Sequence, residues 1–228
     1  AEARNPQGTV CRSFRYIAYL DRADAIVNFC KLKTHGMMGM SCGAKNLFGC
    51  IPGTLKPEYH FRYPDPRDFA RMIVDLDEYF APRLTIVDAV DCMEGNGPTS
   101  GTPRHMGALV AGESPHKVDL LCAGLIGLRR EDVPTLEAAL ERGLIPERME
   151  ELSVWGDPAE FALADFQRVA TGNSHLFKGD GASLTKRLRG EILQRLLAQR
   201  PAVKGEKCVG CGLCRNICPA KAITMKKR

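Results

Sequence analysis

Four cysteines near the C-terminal end of the chain have the spacing of a metal-binding motif. They are Cys208, Cys211, Cys214 and Cys218, in the pattern C-x2-C-x2-C-x3-C followed by proline. Thiolates at this spacing can wrap around one corner of a 4Fe-4S cluster. Gly210 and Gly212 lie between them, where residues without a Cβ let the backbone curl closely around the inorganic core. The motif therefore predicts an iron–sulfur site whose cofactor is a 4Fe-4S cluster.

The motif resembles that of bacterial-type ferredoxins, which implies electron-transfer chemistry. A zinc knuckle is the alternative, but structural zinc sites usually combine two separated C-x2-C pairs. In two-cluster ferredoxins the fourth cysteine of such a run binds the second cluster, so the first three need another ligand. No cysteine follows Cys218. Either a second run follows in a longer protein, or an upstream cysteine such as Cys42 or Cys50 completes the site.

The charge of the chain is divided between its two parts. The net charge is +5, yet residues 178–228 contain 13 Lys or Arg against 3 Asp or Glu. Residues 1–177 contain 19 Lys or Arg against 24 Asp or Glu. A basic segment can bind nucleic acid, but this one has no aromatic residue after Phe177 on which bases could stack. We therefore expect a redox partner protein with an acidic surface rather than a nucleic acid.

The sequence also bears on location. No apolar run approaches the roughly 18 to 20 residues that a membrane-spanning helix requires, so we expect no membrane partner. Six further cysteines are scattered singly, at positions 11, 30, 42, 50, 92 and 122. Their irregular spacing does not resemble a disulfide framework and favours a reducing cytoplasm. Because the chain begins with Ala1 rather than Met, we also expect it to be a piece of a longer protein.

Apolar runs that alternate with amphipathic segments predict an α/β fold. Residues 25–30 and 84–90 are apolar runs of strand length, and the first has the pattern of a strand buried on both faces. Further strands are predicted at residues 14–20, 106–111 and 151–154, and helices at residues 65–80, 116–128, 133–142 and 184–199. We expect a mostly parallel sheet flanked by helices, with a small C-terminal ferredoxin-like iron–sulfur segment.

The composition also predicts where the chain is divided. Residues 1–177 are expected to form the α/β domain, as the C-terminal portion of a longer domain. Residues 178–203 are expected to form a basic linker helix, and residues 204–228 a partial ferredoxin-type module. Glycines and polar residues between positions 171 and 184 mark the first boundary.

Two polar loops follow the two most apolar strands. Ligands of open α/β sheets bind outside the carboxyl ends of the strands, so the loops at residues 31–45 and 88–101 should meet. If the chain stays extended after residue 30, Lys31, Lys33 and His35 share one face. The glycines at residues 95–101 lack the spacing of a dinucleotide-binding loop, and Pro98 stands where its helix would start.

The side chains of these loops could form a mixed polar site. Its predicted members are Lys31, Lys33, His35, Lys45, Asn46, Asp88 and Glu94, with His60 and Asp91 beside them. The cations suit a small anionic substrate, the carboxylates suit a metal ion or proton transfer, and a histidine has a pKa that its surroundings can tune. The alternative is structural: the lysines are merely solvated, Asp88 caps a turn and Glu94 braces its loop.

The same residues carry a resemblance to a known family. The segments are K-L-K-T-H at 31–35, G-A-K-N-L-F-G at 43–49 and M-E-G-N-G-P at 93–98, with Asp88 before the last and Gly101 after it. They resemble the family called domain of unknown function 362, over residues 10–130 and more weakly toward residue 175. The resemblance implies fusion to ferredoxin-type modules and a longer α/β segment before the lysine-bearing strand. It implies no reaction, because that of the family is not established.

Two classes of function remain open from the sequence. The first is a redox protein whose C-terminal module passes single electrons to or from a site in the α/β domain, with oxidoreductase activity as one form. The second is a non-redox enzyme or anionic-ligand-binding protein in which the iron–sulfur cluster is structural. A nucleic-acid role of the basic segment is a weaker third class. The combination of the cysteine motif with a polar site favours the first.

Overall fold

The computed structural model describes residues 1–169, 203, 205–218 and 223–225. The chain divides into two compact units, Ala1–Phe177 and Lys178–Arg228. Both sheets of the described residues belong to the first unit. In the part of the chain that is described, no helix is both long enough and apolar enough to cross a membrane.

Two sheets are present in the first unit. A small sheet pairs β1 (Glu2–Arg4) antiparallel with β2 (Ser13–Arg15). The larger sheet consists of β3 (Val27–His35), β4 (Gly39–Ser41), β5 (Leu84–Glu94) and β6 (Thr102–Gly112). Its strands lie in the order β4, β3, β5, β6. The strands predicted at residues 25–30, 84–90 and 106–111 therefore correspond to β3, β5 and β6.

The four-stranded sheet is mixed, which corrects the expectation of mostly parallel pairing. β3 and β5 run parallel, whereas β4 pairs antiparallel with β3 and β6 pairs antiparallel with β5. The connections explain this, because a parallel crossover needs about a dozen residues or more. Only residues 36–38 separate β3 from β4, and only residues 95–101 separate β5 from β6. The predicted α/β class, with helices flanking a sheet, is confirmed.

The side chains of β3 alternate between buried and exposed. Cys30 and Leu32 are buried, whereas Val27 and Phe29 are 59% and 62% exposed. The expectation that residues 25–30 are buried on both faces is therefore wrong. Among the described residues, this strand is covered on one face only, and its apolar residues at positions 27 and 29 belong to the other face.

Five α-helices accompany the sheet in the described part of the first unit. They are α1 (Gly43–Leu47), α2 (Lys56–Arg62), α3 (Pro66–Phe80), α4 (Pro115–Leu125) and α5 (Pro134–Glu141). The helix predicted at residues 65–80 is confirmed as α3. The Asp65 side chain accepts a hydrogen bond of 2.7 Å from the Arg67 backbone N–H, and proline occupies the first helical position. The helices predicted at residues 116–128 and 133–142 are confirmed in shorter form.

Two hydrophobic cores hold these elements together. The first lies beneath the sheet, where Leu32 of β3 and Val87 of β5 share a core with Cys122 of α4. The second surrounds α3, whose Phe69 and Met72 are fully buried. Burial of one side chain of this size stabilises a fold by about 1.5 to 3 kcal/mol.

Other predicted elements differ from the structure. Residues 151–154 do not form a strand, because a short 3-10 helix at Met149–Glu151 precedes irregular backbone. The strand predicted at residues 14–20 is limited to β2. The basic helix predicted at residues 184–199 lies outside the described residues. In the second unit, the described residues form a 3-10 turn at Gly205–Lys207 and a short helix, α6 (Leu213–Ile217).

Candidate functional site

Three predicted site residues lie on one face of β3. Lys31, Lys33 and His35 alternate with the buried residues Leu32 and Thr34, as the two-residue period of a strand requires. Lys31 is exposed, whereas Lys33 and His35 are half-buried. The three side chains therefore point to the same side of the sheet but meet different surroundings.

Lys31 belongs to a row of paired charges. Its Nζ lies 2.9 Å from Asp88 Oδ2 and donates a hydrogen bond of 2.8 Å to the Asp91 carbonyl oxygen. This ion pair holds the pKa of Asp88 below its usual range. The Asp91 carboxylate in turn lies 2.8 Å from His105 Nδ1 on β6. We refer to Lys31, Asp88, Asp91 and His105 as the paired strip.

Lys33 has no such partner, and the strand register changes beside it. Lys31 lies opposite Asp88 in the parallel pairing of β3 with β5, but Lys33 lies opposite Met93. An unbroken register would place Val90 opposite Lys33, so the neighbouring strand offers Lys33 no carboxylate in either register. Among the described residues, no carboxylate oxygen lies within 4.0 Å of the Lys33 ammonium.

His35 is held in one tautomer by the turn that follows it. The backbone N–H groups of Met37 and Met38 donate to its Nδ1 at 3.1 and 3.2 Å. Burial, assisted by the charges of Lys45, His60 and Lys33, lowers the pKa of His35 to about 3. The ring is therefore neutral at pH 7 and carries its proton on Nε2, which makes that nitrogen a hydrogen-bond donor.

Lys45 lies on α1 and belongs to the same group of basic side chains. Its Nζ lies 5.8 Å from the centre of the Phe48 ring. Burial, followed by the charges of Lys33 and Lys56, lowers the pKa of Lys45 to about 8. The described residues offer the Lys45 ammonium no carboxylate within 4.0 Å.

Helix α2 contributes two further basic side chains. Lys56 Nζ lies 6.0 Å from the centre of the Phe48 ring, and the His60 ring lies 6.0 Å from the same ring. His60 also stacks on Phe69, with ring centres 4.6 Å apart and planes inclined by 5°. Burial, assisted by the charge of Lys45, lowers the pKa of His60. We refer to Lys33, His35, Lys45, Lys56 and His60 as the cationic patch.

Helix α1 is positioned by a buried carboxylate that the sequence did not single out. Asp119 of α4 accepts hydrogen bonds from the Gly43 and Ala44 backbone N–H groups at 2.6 and 3.1 Å. A Cβ at residue 43 would lie 2.9 Å from Asp119 Oδ1, so glycine permits this close approach. Burial raises the pKa of Asp119 to about 6. Asp119 therefore fixes the start of the helix that carries Lys45.

Asn46 has a structural role in this arrangement. Its side-chain amide donates to Asn28 Oδ1 at 2.8 Å and to the Phe29 carbonyl oxygen at 3.1 Å. The Asn28 amide in turn donates to the Gly43 carbonyl oxygen at 2.9 Å. These bonds tie α1 to β3 through the Asn46 amide nitrogen, so Asn46 helps to position the helix that carries Lys45.

Glu94 lies at the end of β5, and its carboxylate accepts a hydrogen bond from the main chain. It is 5% exposed, and its Oε2 accepts a hydrogen bond of 3.0 Å from the Gln167 backbone N–H. The neighbouring Thr34 hydroxyl donates to the Gly95 carbonyl oxygen at 2.9 Å. In the described residues, no hydrogen bond or ion pair joins Glu94 to the cationic patch.

The predicted constellation is thus divided into three parts. Lys33, His35 and Lys45 gather in the cationic patch, Lys31 and Asp88 form an ion pair, and Glu94 braces the loop after β5. Lys56 and Asp119 are the residues that the sequence predictions missed. Lys56 and His60 are four residues apart on α2, a spacing that places both on one helix face. Asp119 is an isolated carboxylate within the apolar sequence of α4.

The two upstream cysteines proposed as alternative ligands lie in different surroundings. Cys42 is buried, and its thiol neighbours are Cys30 and Cys122. Burial raises the pKa values of the Cys42 and Cys50 thiols. Raised pKa values leave both side chains as neutral thiols at pH 7, which suits packing in the core better than a role as a nucleophile.

The cysteine motif lies in the described part of the second unit. Cys208, Cys211 and Cys214 are exposed and Cys218 is half-buried. Gly210 and Gly212 both have left-handed backbones, with φ values of 70° and 74°. Residues with side chains rarely adopt this conformation, so the glycines are required for the curl of the loop.

The donor set fits an iron–sulfur cluster by its chemistry. All four thiols are free of disulfides, and thiolates are the ligands that iron–sulfur clusters require. Among the described residues, no three His, Cys, Asp or Glu side chains converge closely enough to hold a metal ion. This holds for the four motif cysteines, and also for the carboxylates Asp88, Asp91 and Glu94. The fit therefore rests on ligand type, spacing and glycine conformation.

Comparison with known proteins identifies both parts of the chain. The family model described as 4Fe-4S binding domain matches residues 201–224, which include all four motif cysteines. The chain is 34% identical over 146 residues to the thylakoid-associated protein sll1697 of Synechocystis sp.. This alignment covers 64% of the chain and 46% of the relative, so the chain spans less than half of the relative's length. No solved structure matches the chain.

The family matches confirm the resemblances seen in the sequence. The 4Fe-4S model confirms the predicted cofactor, a 4Fe-4S cluster, over the zinc alternative. A second model, described as Domain of unknown function (DUF362), matches residues 2–124, more than half of the chain. It includes the lysine-bearing strand β3, helix α1 and the loop after β5. The chain therefore belongs to the DUF362 family and carries a C-terminal 4Fe-4S binding domain.

Proposed function

We propose that this protein is a redox protein in which the C-terminal domain exchanges single electrons while the α/β domain binds a small anionic substrate. The observation that carries the proposal is the joining of two features in one chain. One is the cysteine motif within a matched 4Fe-4S binding domain. The other is the cationic patch, whose lysines have no carboxylate partner among the described residues.

The C-terminal residues would hold the iron–sulfur cluster. Cys208, Cys211 and Cys214 are its proposed ligands, with Cys218 as a ligand of the same cluster or of a second one. When bound, the cluster supplies reversible one-electron transfer. The left-handed glycines let backbone N–H groups approach the cluster, which favours its negative charge.

The α/β residues would attract and orient the anion. Lys33, Lys45 and Lys56 supply positive charge, and His35 donates a hydrogen bond from Nε2. Lys31 is neutralised by Asp88 and is assigned a structural role. Asn46 and Asp119 position the helix that carries Lys45. A site of this kind stabilises the negative charge that reduction adds to a substrate, so an oxidoreductase activity is consistent with it.

The proposal also includes the division of the chain. We assign residues 1–177 to the α/β domain, residues 178–203 to a basic linker and residues 204–228 to a partial ferredoxin-type module. The basic composition of residues 178–228 suits an acidic redox partner protein. It does not favour nucleic acid, because aromatic stacking residues are lacking after Phe177.

We propose a cytoplasmic location. The support is the set of ten cysteines, all of them free, which suits a reducing compartment. The Synechocystis relative is named as thylakoid-associated, so attachment to a membrane surface is the competing location. Cell fractionation decides between them: recovery with washed membranes would contradict the proposal.

The redox function can be tested on the whole chain by anaerobic reconstitution with iron and sulfide. The reconstituted protein should show visible absorbance that bleaches on reduction, and the reduced form should give the electron paramagnetic resonance signal of a four-iron cluster. Cys211→Ala should abolish the signal because it removes a proposed ligand. Cys92→Ala, which removes a buried thiol outside the motif, is the matched control and should retain it.

Three outcomes would count against the proposal. Absence of the signal from the wild-type chain, together with its absence from a version extended beyond Arg228, would remove the redox function. A signal that survives Cys211→Ala would remove the assigned ligands. If the cluster forms but cannot be reduced and reoxidised, the second class is favoured, in which the cluster is structural and the α/β domain binds its ligand without electron transfer.

A further inference from the structure

We infer that the cationic patch binds a dianionic phosphoryl group, as free phosphate or as a phosphate ester. The inference depends on the anion site of the proposed function and names the class of its ligand. It draws on the charge balance of the patch, the type of its cations and the fixed orientation of one hydrogen-bond donor.

The charge balance favours a dianion over a monoanion. The Lys45 and Lys56 ammonium groups lie 5.8 and 6.0 Å from the centre of the Phe48 ring, and no ion pair in the described part of the chain includes either of them or Lys33. Their mutual repulsion contributes to the lowered pKa of Lys45. A carboxylate would leave most of this charge uncompensated, whereas a dianion neutralises two of the three charges.

The type of cation also distinguishes a phosphoryl group from a carboxylate. All three cations are lysines, which act as point charges with rotatable donors, and no arginine belongs to the patch. Arginine offers a planar fork that matches a carboxylate with two parallel hydrogen bonds. Lysine ammonium groups suit a tetrahedral oxyanion, whose oxygens point in several directions, because each ammonium can contact a different oxygen.

His35 adds a directed donor that cannot change its tautomer without losing backbone hydrogen bonds. Because Met37 and Met38 N–H groups occupy Nδ1, the proton stays on Nε2. The neutral ring can therefore donate to a phosphoryl oxygen without adding a fourth charge. The ammonium groups of Lys45 and Lys56 both lie within cation–π distance of the Phe48 ring.

Binding should also change the protonation of the patch. The basic groups whose charges act on Lys45 are Lys33 of β3 and Lys56 of α2, and the charge of Lys45 in turn lowers the pKa values of His35 and His60. Burial and the charges of the two lysines lower its pKa to about 8, and a bound dianion would raise that pKa again. Near pH 8 the protein should therefore take up a proton when it binds phosphate.

The test is isothermal titration calorimetry of the reconstituted whole chain with inorganic phosphate, glycerol phosphate and acetate. Phosphate or glycerol phosphate should bind at least about tenfold more tightly than acetate. The tighter of the two phosphates distinguishes free phosphate from an ester. Near pH 8, the measured heat should depend on the ionisation enthalpy of the buffer, which reports the proton uptake.

Matched variants locate the binding. Lys33→Gln and Lys56→Gln should each weaken phosphate binding by about tenfold, because each removes a direct charged contact. Lys31→Gln, two residues along the same strand, should change the affinity for phosphate less than twofold. Use of two patch variants keeps the test valid if one of them folds poorly, as circular dichroism would reveal.

Acetate binding as tightly as both phosphates would overturn the inference, as would equal losses in Lys31→Gln and Lys33→Gln. The iron–sulfur signal of the same sample separates this failure from that of the redox function. An intact signal without phosphate binding removes the ligand assignment alone. Loss of the signal with phosphate binding retained removes the redox function and leaves the phosphoryl site supported.

Discussion

Lys31 and Lys33 are two residues apart on the same face of the same strand, yet they have opposite electrostatic environments. Lys31 contacts the Asp88 carboxylate at 2.9 Å and belongs to the paired strip. Lys33 lies beside the register change in β5, opposite Met93, and belongs to the cationic patch. The comparison shows that the position of a lysine on a strand face does not decide its role. The side chain that the neighbouring strand places opposite the lysine decides it, which is Asp88 for Lys31 and Met93 for Lys33.

The same difference extends to the residues around each lysine. Both carboxylates of the paired strip have a partner within it, since Asp88 contacts Lys31 and Asp91 contacts His105. Exposed pairs of this kind contribute little to stability, typically about 0 to 1 kcal/mol. The cationic patch instead keeps like charges together in partly buried surroundings, which is an unfavourable arrangement in the absence of a ligand. Unfavourable charge that a fold retains is a feature of functional sites.

The largest expected effect concerns the support of the cationic patch. Asp119→Ala removes the buried acceptor of two backbone N–H groups at the start of α1. We expect a loss of about 2 to 3 kcal/mol in the free energy of unfolding, measured in urea, because both donors become unsatisfied. Asp119→Asn, which keeps one acceptor oxygen, should lose less. Equal stability of Asp119→Ala and wild type would show that α1 is held by other contacts.

The buried carboxylate also predicts a dependence on pH. Burial raises the pKa of Asp119 to about 6, above its value in the unfolded chain. Its contribution to stability is therefore present at low pH and is lost as the pH rises through about 6. Between pH 4 and pH 8, the free energy of unfolding of the wild type should fall by up to about 3 kcal/mol relative to that of Asp119→Asn. This follows because a difference of one unit in pKa corresponds to about 1.4 kcal/mol. A constant difference between the two proteins would contradict the raised pKa.

Neutralisation of the two lysines should have opposite effects on stability. Lys31→Gln removes an exposed ion pair and should lower the free energy of unfolding by about 0.5 kcal/mol. This loss should vanish at acidic pH, because the lowered pKa of Asp88 makes its contribution disappear as the carboxylate is protonated. Lys33→Gln relieves repulsion and should raise stability by about 0.5 kcal/mol. Losses of equal size in both variants would remove the distinction between strip and patch.

Much of the fold followed from residue periodicity. The shared face of Lys31, Lys33 and His35 required only the two-residue period of a strand, and α3 required only helical spacing of apolar residues. The mixed sheet was predictable in principle from its connections, because residues 36–38 and 95–101 are too short for a parallel crossover. The apolar composition of residues 25–30 was misleading, since Val27 and Phe29 are exposed among the described residues.

Which residues form the site was harder to predict from the sequence. Proximity of the two loops suggested that Asp88 and Glu94 would join the lysines, but strand register and main-chain hydrogen bonds determine where each carboxylate is used. The register change between Lys31 and Lys33 has no clear sequence signal. Asp119 lies far along the chain from the helix that it caps, so its role depends on tertiary packing of α4 against α1. The cysteine motif, in contrast, is a local pattern and could be recognised directly in the sequence.

The most direct test of this account is the titration of Lys45, followed by nuclear magnetic resonance of lysine side chains in wild type, Lys33→Gln and Lys31→Gln. We expect Lys45 to titrate near the lowered pKa of about 8 in the wild type. Removal of the Lys33 charge should raise this pKa, whereas removal of the Lys31 charge should change it less, because the charges that lower it are those of Lys33 and Lys56. An ordinary lysine pKa in the wild type, or equal responses to the two substitutions, would contradict the account.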